Sequence, residues 1–379
     1  MKFSTLSLLI SSIIGLSYSQ TIYTGDVLEG NKVITKLDIN DLPEKSVSYL
    51  WFKVPANMVG INSHVPLMVK KGTNGGPRFL LNSGFHGDEY NGIRVVQDTF
   101  HSIDESKLNG TVVAVTYASP GAIAGGRMFY VTNSATGGIV DVNRNFKLSP
   151  EPTDIGSLMT DGLWKNLYSN NNFTACVDMH GASAGDSYPN LIYGDVRIEY
   201  TNRMFELSGA DIVKLEIGSA KNTGYLEDAL NQINVPTISY EIGYGLSMQA
   251  DQIKRSNEFM QRIMADLKMI PPTTDKDSIS RFEAAQKKTL ALNELHIAKN
   301  NIGGIVIPCV SLLDKVEAGQ VVAHVINPYG HVIEEIKTKV DGYVMMIIRN
   351  PASDPLRNIA FISRVNPDES CKLGGCFVP

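Results

Sequence analysis

Phe79-Leu80-Leu81-Asn82-Ser83-Gly84-Phe85-His86-Gly87-Asp88-Glu89 is an apolar, strand-like run that opens into a turn carrying a histidine and a carboxylate three residues apart. At the mouth of a strand, both side chains can reach one small cation. The pattern returns at Cys176-Val177-Asp178-Met179-His180-Gly181 and at Pro236-Thr237-Ile238-Ser239-Tyr240-Glu241. In open α/β sheets the working crevice lies beyond the carboxyl ends of the strands. Residues distant in sequence thereby converge on one edge in space.

Two imidazole nitrogens and one carboxylate oxygen make a three-ligand zinc site with an open fourth position, the catalytic rather than the structural pattern. One of the two glutamates is then left free as general base on a water at the metal. Zinc suits mixed imidazole and carboxylate donors and needs no redox partner, although ligand type alone also admits manganese or cobalt. Asp178 lies two residues before His180, on the same sheet face, where it could orient a histidine ring. In Asp141-Val142-Asn143-Arg144 the arginine fork and the adjacent asparagine could hold a substrate carboxylate. The blander reading pairs Arg144 with Asp141. Arg127, after Gly125-Gly126, could stabilise an oxyanion or be a surface residue on a glycine hinge.

Around this edge, strand-like and helix-like runs alternate from about residue 45 to 270, which predicts an α/β domain with a mixed sheet. Strands are expected at Val47–Val54, Val65–Val69, Arg78–Asn82, Thr111–Ala118, Thr174–Met179, Ile212–Ile217 and Thr237–Glu241. Helices are expected at Gly92–Ile103, Leu158–Tyr168, Glu199–Leu207, Gly224–Gln232 and Met248–Met269. Pro271-Pro272 ends the last helix, and a charged linker follows. From Gly303 the runs are short and β-like, the texture of a small all-β module. The expected division is a leader at 1–19, a hydrolase domain at 20–272, a linker at 273–302, and a β domain with its tail at 303–379.

The leader has a positive start at Lys2, an apolar stretch from Leu6 to Leu16, and small residues at Ser17 and Ser19 before Gln20. That is a secretory signal pattern, and it predicts a protein that is extracellular or in the secretory lumen. Asn109-Gly110-Thr111 and Asn172-Phe173-Thr174 are glycosylation acceptors. Cys371 and Cys376 enclose a short loop that could pair in an oxidising compartment, while Cys176 and Cys309 read as free core thiols. The net charge of −5, with no basic run, argues against nucleic acid as a partner. Membrane attachment after leader removal is not expected; a homo-oligomer is left open.

Other motifs fall away. His64, His101, His296, His324 and His331 have no carboxylate at ligand spacing. Ser183 and Ser187 lack the Gly-x-Ser-x-Gly elbow of a serine hydrolase. Gly72-Thr73-Asn74-Gly75-Gly76 lacks the lysine of a phosphate loop and reads as a hairpin turn.

Taken together and in order, His86-Gly87-Asp88-Glu89, Asp141-Val142-Asn143-Arg144, Asp178-Met179-His180-Gly181 and Tyr240-Glu241-Ile242-Gly243 resemble the motifs of the succinylglutamate desuccinylase/aspartoacylase family, of the zinc carboxypeptidase-like clan. The β module at 303–365 is similar to the barrel-sandwich C-terminal domain of the N-acyl-diaminobutyrate deacetylase-like branch. The resemblance implies a three-layer α/β/α domain holding one zinc per chain. It makes His86, Glu89 and His180 the ligands and Glu241 the base and proton shuttle. Asn143 and Arg144 would hold a substrate carboxylate, and Arg127 would polarise the scissile carbonyl. The implied substrate is an N-acyl amino acid or related amide. Two other readings stand beside it: a secreted metallocarboxypeptidase acting on peptide C-termini, and a non-catalytic binding protein on a hydrolase scaffold.

Overall fold

The structure, a computed structural model, describes residues 20–56, 60–132, 138–146, 151–183, 185–218 and 224–378. The leader read at 1–19 lies outside the described residues.

Four apolar runs form the centre of an 11-stranded sheet: Asn109–Val115, Thr73–Ser83, Ala175–Ala182 and Thr237–Tyr244, neighbours in that order and all parallel. Their side chains are buried on both faces, which is why they read as continuous apolar runs rather than alternating ones. The alternation appears in which core each side chain joins. Phe79, Leu81 and Val177 pack with Phe100, Phe259 and Ile263. Leu80 and Cys176 point the other way, to Leu163, Tyr168 and Leu230. Helices Tyr90–Ser102, Glu199–Ser208 and Ala250–Asp266 cover the first face. Ile155–Leu163, continued by a π turn to Tyr168, and Leu226–Gln232 cover the second. This is the expected three-layer α/β/α architecture.

Beyond Asn109–Val115 the sheet continues with Asn62–Lys71 and Ser46–Ala56, each antiparallel to the strand before it, then Asn31–Lys36, parallel to Ser46–Ala56, and Ile22–Leu28, antiparallel again. On the other side Asn190–Asp195 runs antiparallel to Thr237–Tyr244, followed by Ile212–Glu216 and Leu290–Leu292. The sheet is therefore mixed.

The glycine-rich segment at 72–76 is not a hairpin. Asn62–Lys71 and Thr73–Ser83 each pair with Asn109–Val115, which lies between them. Gly72 makes the crossing because a Cβ there would stand 1.8 Å from the Leu108 carbonyl oxygen. Nor is 273–302 only a linker. It holds the helix Lys276–Gln286, the edge strand Leu290–Leu292 and the strand Glu294–Lys299, which belongs to the next sheet.

The C-terminal part is all-β. One sheet contains Asp186–Ser187, Gly342–Ile348, Asn358–Arg364, Glu294–Lys299 and Cys376–Val378, with Lys315–Val316 beside Gly342–Ile348. A second has the order Val332–Lys337, Val321–Ile326, Gly304–Pro308, Ala352–Ser353. Val306, Val322, Val344, Ile359 and Ile362 fill the space between them. Asp186–Ser187 comes from the chain just after His180, so backbone pairing fastens this module to the larger sheet.

Cys371 and Cys376 form a disulfide. Cys176 is a buried free thiol, but Cys309 is exposed, on the outer side of its strand's end rather than in a core. Asn172 is exposed, and so is Asn109, whose side-chain amide donates to the Lys268 carbonyl. Among the described residues no helix is long and apolar enough to cross a membrane.

Candidate metal centre

The turn after Thr73–Ser83 is built by glycine. Gly84 has φ +77°, and a Cβ there would lie 2.4 Å from the Thr116 carbonyl oxygen. At Gly87 a Cβ would come within 1.9 Å of the Ala122 carbonyl oxygen. The chain can thus fold tightly enough to put His86 and Glu89 on the same side. Glu89 is the N-cap residue of helix Tyr90–Ser102, but its side chain makes no capping hydrogen bond. Its carboxylate turns to the histidines: Oε1 is 2.7 Å from His86 Nδ1, and Oε2 is 2.9 Å from His180 Nδ1. His180 reaches the spot because its strand lies directly beside Thr73–Ser83.

Each ring is backed by a second carboxylate. His86 Nε2 lies 3.3 Å from Asp141 Oδ1, and His180 Nε2 lies 3.0 Å from Asp178 Oδ2. Asp178 is itself held, since Asn82 Nδ2 donates to its Oδ1 at 2.7 Å and Tyr168 donates to Asn82 Oδ1 at 2.8 Å. One donor atom each from His86, Glu89 and His180 lies within 4.8 Å of the others. Two Nδ1 donors and a carboxylate, with both rings oriented from behind by carboxylates, fit a zinc-type cation.

The charges follow from this packing. Burial alone would depress His86, but Glu89 and Asp141 outweigh it and hold its pKa up at about 9. Burial opposes charge on His180 too, yet Asp178 and Glu89 raise it well above its ordinary value. Glu89, despite burial, is pulled down to about 2 by His86 and His180. Without metal the site therefore stores protons on its imidazoles, and these must leave when a cation binds. Calorimetry in buffers of different ionisation enthalpy at pH 7 is expected to show more than one proton released per zinc, with affinity rising toward pH 9. The same cluster gives the metal-free protein a pH window. The histidine contribution to stability is complete below their unfolded value of 6.5 and is lost as pH rises through about 9 for His86. The Glu89 contribution is complete above 4.5 and is lost as pH falls through about 2. Thermal unfolding of metal-free protein between pH 6 and 10 checks this, with the zinc-loaded protein losing less on the alkaline side.

Glu241 is the register neighbour of His180 on the adjacent strand. Burial raises its carboxyl to about 7, with His180 opposing and Glu89 adding to the rise. Tyr193 donates to its Oε1 at 3.1 Å, while Oε2 is buried with no partner. Arg144 stacks on the Tyr225 ring at 3.9 Å, donates to the Asn143 carbonyl and lies 3.5 Å from Asp141 Oδ2. Asn143 is buried and both ends of its amide are engaged: Oδ1 accepts from Leu226 N–H, and Nδ2 stands 3.0 Å from His180 Nε2. Arg127 is exposed, and its carbonyl accepts the Gly87 N–H, which places it beside the His86 turn.

The sequence reading missed several partners in this cluster, Asn82 and Tyr168 behind Asp178 among them. Asp141 lies behind His86 as well as near Arg144. Tyr193 holds Glu241 from Asn190–Asp195, a strand whose Asn, Gly and Asp hid it, although Leu191-Ile192-Tyr193 was a usable signal. Ser183 Oγ reaches Glu89 Oε1 at 3.5 Å.

Residues 75–267, more than half of the 379, match the succinylglutamate desuccinylase/aspartoacylase catalytic domain. No curated protein matches the chain. Among solved structures, a product-bound ectoine utilization protein from Ruegeria pomeroyi aligns with TM-score 0.71 at 16% identity, over 86% of this chain and 98% of that one. A succinylglutamate desuccinylase/aspartoacylase from Rhodobacter sphaeroides gives 0.71 at 16% identity, over 88% of this chain and 100% of that one. An aspartoacylase family protein from Mesorhizobium loti gives 0.67 at 16% identity, over 92% and 100%. These likenesses carry the fold over most of the chain, and the domain match, with the four motifs converging on one site, carries the lineage: the chain belongs to the succinylglutamate desuccinylase/aspartoacylase family.

Proposed function

We propose that this protein is a secreted, zinc-dependent amidohydrolase that removes the acyl group from an N-acyl amino acid or related amide. The observation that carries the reading is Glu89 bridging two histidine Nδ1 atoms, with the unpartnered oxygen of Glu241 on the neighbouring strand. The family it belongs to is one of deacylases. A zinc held by His86, Glu89 and His180 would acidify an attacking water and polarise the scissile carbonyl.

The chain's own residues supply the rest. Glu241 accepts a proton from the attacking water and returns it to the leaving amine. Tyr193 keeps that carboxylate oriented. Arg127 donates to the oxyanion as the amide carbonyl becomes tetrahedral. Arg144, preset by Tyr225, pairs with a substrate carboxylate. Asn143 supports this by donating to the Asp178 carboxylate behind His180 and by fixing the Leu226 turn rather than by touching substrate. Secretion is supported by the leader pattern and by the Cys371–Cys376 disulfide, a bond typical of oxidising compartments.

The test is metal analysis of the purified leader-free protein, followed by a panel of N-acyl amino acids beside C-terminal peptides. One zinc per chain with amine release from the N-acyl compounds is expected. Release of C-terminal residues alone would move the reading to a carboxypeptidase. Stoichiometric zinc with no turnover would favour a binding protein.

A further inference from the structure

The C-terminal module does not stand apart from the metal centre. Beside an apolar seam in which Met345 packs on Leu191, Ile212 and Leu292, it holds two short loops of the larger domain. The first, Gly185–Ser187, begins five residues after His180. The Gly185 carbonyl accepts from the backbone N–H groups of Arg349, at 2.9 Å, and Asn350, at 3.1 Å. It also accepts from Arg357 Nη2 at 3.3 Å. Asp186 and Ser187 then pair with Ile348 and Ile347 as a strand, and Arg357 lies 3.6 Å from Asp186. The second loop, Tyr244–Gly245, begins three residues after Glu241. The Arg349 guanidinium lies 3.7 Å over the Tyr244 ring and donates to the Gly245 carbonyl at 3.3 Å.

Both loops lead to the ligand turn. Asp186 N–H donates to the Ser183 carbonyl, and Ser183 Oγ reaches Glu89. On the other arm Leu246 N–H donates to the Asp88 carbonyl at 2.7 Å. Asn91 Nδ2 donates to the Ile242 carbonyl and to Gln249 Oε1, which also accepts from Tyr244 N–H. Tyr188 N–H to the Gly243 carbonyl joins the two arms. One residue, Arg349, touches both loops, through its main chain on one and its side chain on the other.

We propose that Arg349 is a positioning residue: through it the C-terminal module sets the two loops that hold Glu89 and Glu241 in register for catalysis. The module is then part of the active centre's frame rather than an independent binding domain. It acts at a distance, since Arg349 touches neither ligand nor base. The catalytic consequence rests on the deacylase reading above, while the framing itself does not.

The experiment uses the full chain as wild type, Arg349→Ala, Arg349→Lys and, as a control on the outer strand of the module, Lys337→Ala. Three readouts are taken. In Arg349→Ala, amide exchange is expected to quicken at Tyr244, Leu246 and Asp186 and to stay unchanged inside Ala250–Asp266. The visible absorption of the cobalt(II)-loaded protein should change, because the donor geometry loosens. With zinc, kcat on the N-acetyl amino acid that wild type cleaves fastest should fall about 10- to 100-fold, as small misplacements cost. KM should stay within about twofold, the mark of a lost transition-state geometry rather than lost binding. Arg349→Lys, which keeps a cation over Tyr244, should recover part of every effect, and Lys337→Ala should match wild type. Unchanged exchange and an unchanged cobalt spectrum would overturn the proposal. So would a lower melting temperature with full kcat per folded molecule. If wild type cleaves none of the N-acetyl compounds, the deacylase reading falls alone, and exchange and cobalt absorption still decide the role of Arg349.

Discussion

Glu241→Gln is expected to lower kcat by about 10²- to 10⁴-fold, the range that positioned proton transfer supplies, while zinc stays bound at one per chain. The substitution keeps the shape of the side chain and an oxygen for the Tyr193 hydroxyl. It removes the ability to take a proton from water and return it to an amine. It should also raise stability at alkaline pH. A buried carboxyl raised to about 7 destabilises the fold as pH climbs above its unfolded value of 4.5, and an amide carries no such penalty. Steady-state kinetics, metal analysis and melting at pH 8 measure all three. Near-normal turnover in this variant would assign the proton transfers to another group.

His180→Ala should abolish both metal binding and activity. It deletes one of two nitrogen donors and leaves Glu89 and Asp178, both buried, without the cation between them. Stripping one partner from such a cluster costs about 3–5 kcal/mol in the metal-free protein, visible as a lower denaturation midpoint. Asp178→Asn makes the contrast. The ring keeps both its place and its ligating nitrogen but loses the carboxylate behind it. Zinc affinity should fall about 10- to 100-fold without vanishing. Retention of stoichiometric zinc in His180→Ala would move the metal elsewhere.

The central sheet was legible because its strands are apolar on both faces, so Phe79–Leu81, Val112–Val115 and Ala175–Val177 stand out without any partner information. The same property placed His86, Glu89, His180 and Glu241 on one edge. What escaped lacks that signal. Ile22–Leu28 is an exposed edge strand, interrupted by Thr24-Gly25-Asp26 and paired on one side with Asn31–Lys36. Lys276–Gln286 buries only Ser278 among its eleven residues, so its charged sequence resembles a linker. Gly72–Gly76 carries turn residues, yet whether a hairpin closes depends on a strand thirty-odd residues later that slides between its arms. Asp141 and Tyr193 reach the site by tertiary placement, and no spacing in the sequence encodes which of Asp141's neighbours it faces.

The borrowed strand at Asp186–Ser187 also bears on how the protein comes to life on the ribosome. Its partners, Ile347 and Ile348, lie some 160 residues downstream. Domains generally fold as the chain emerges, amino end first. Here the segment following the second histidine must wait, unpaired, until almost the entire polypeptide has been made. The nascent hydrolase domain can bury its core early, but the framing of its metal centre is among the last events of synthesis. A product that stops short of residue 348 would hold the ligands and the base, and still lack the strand that sets them.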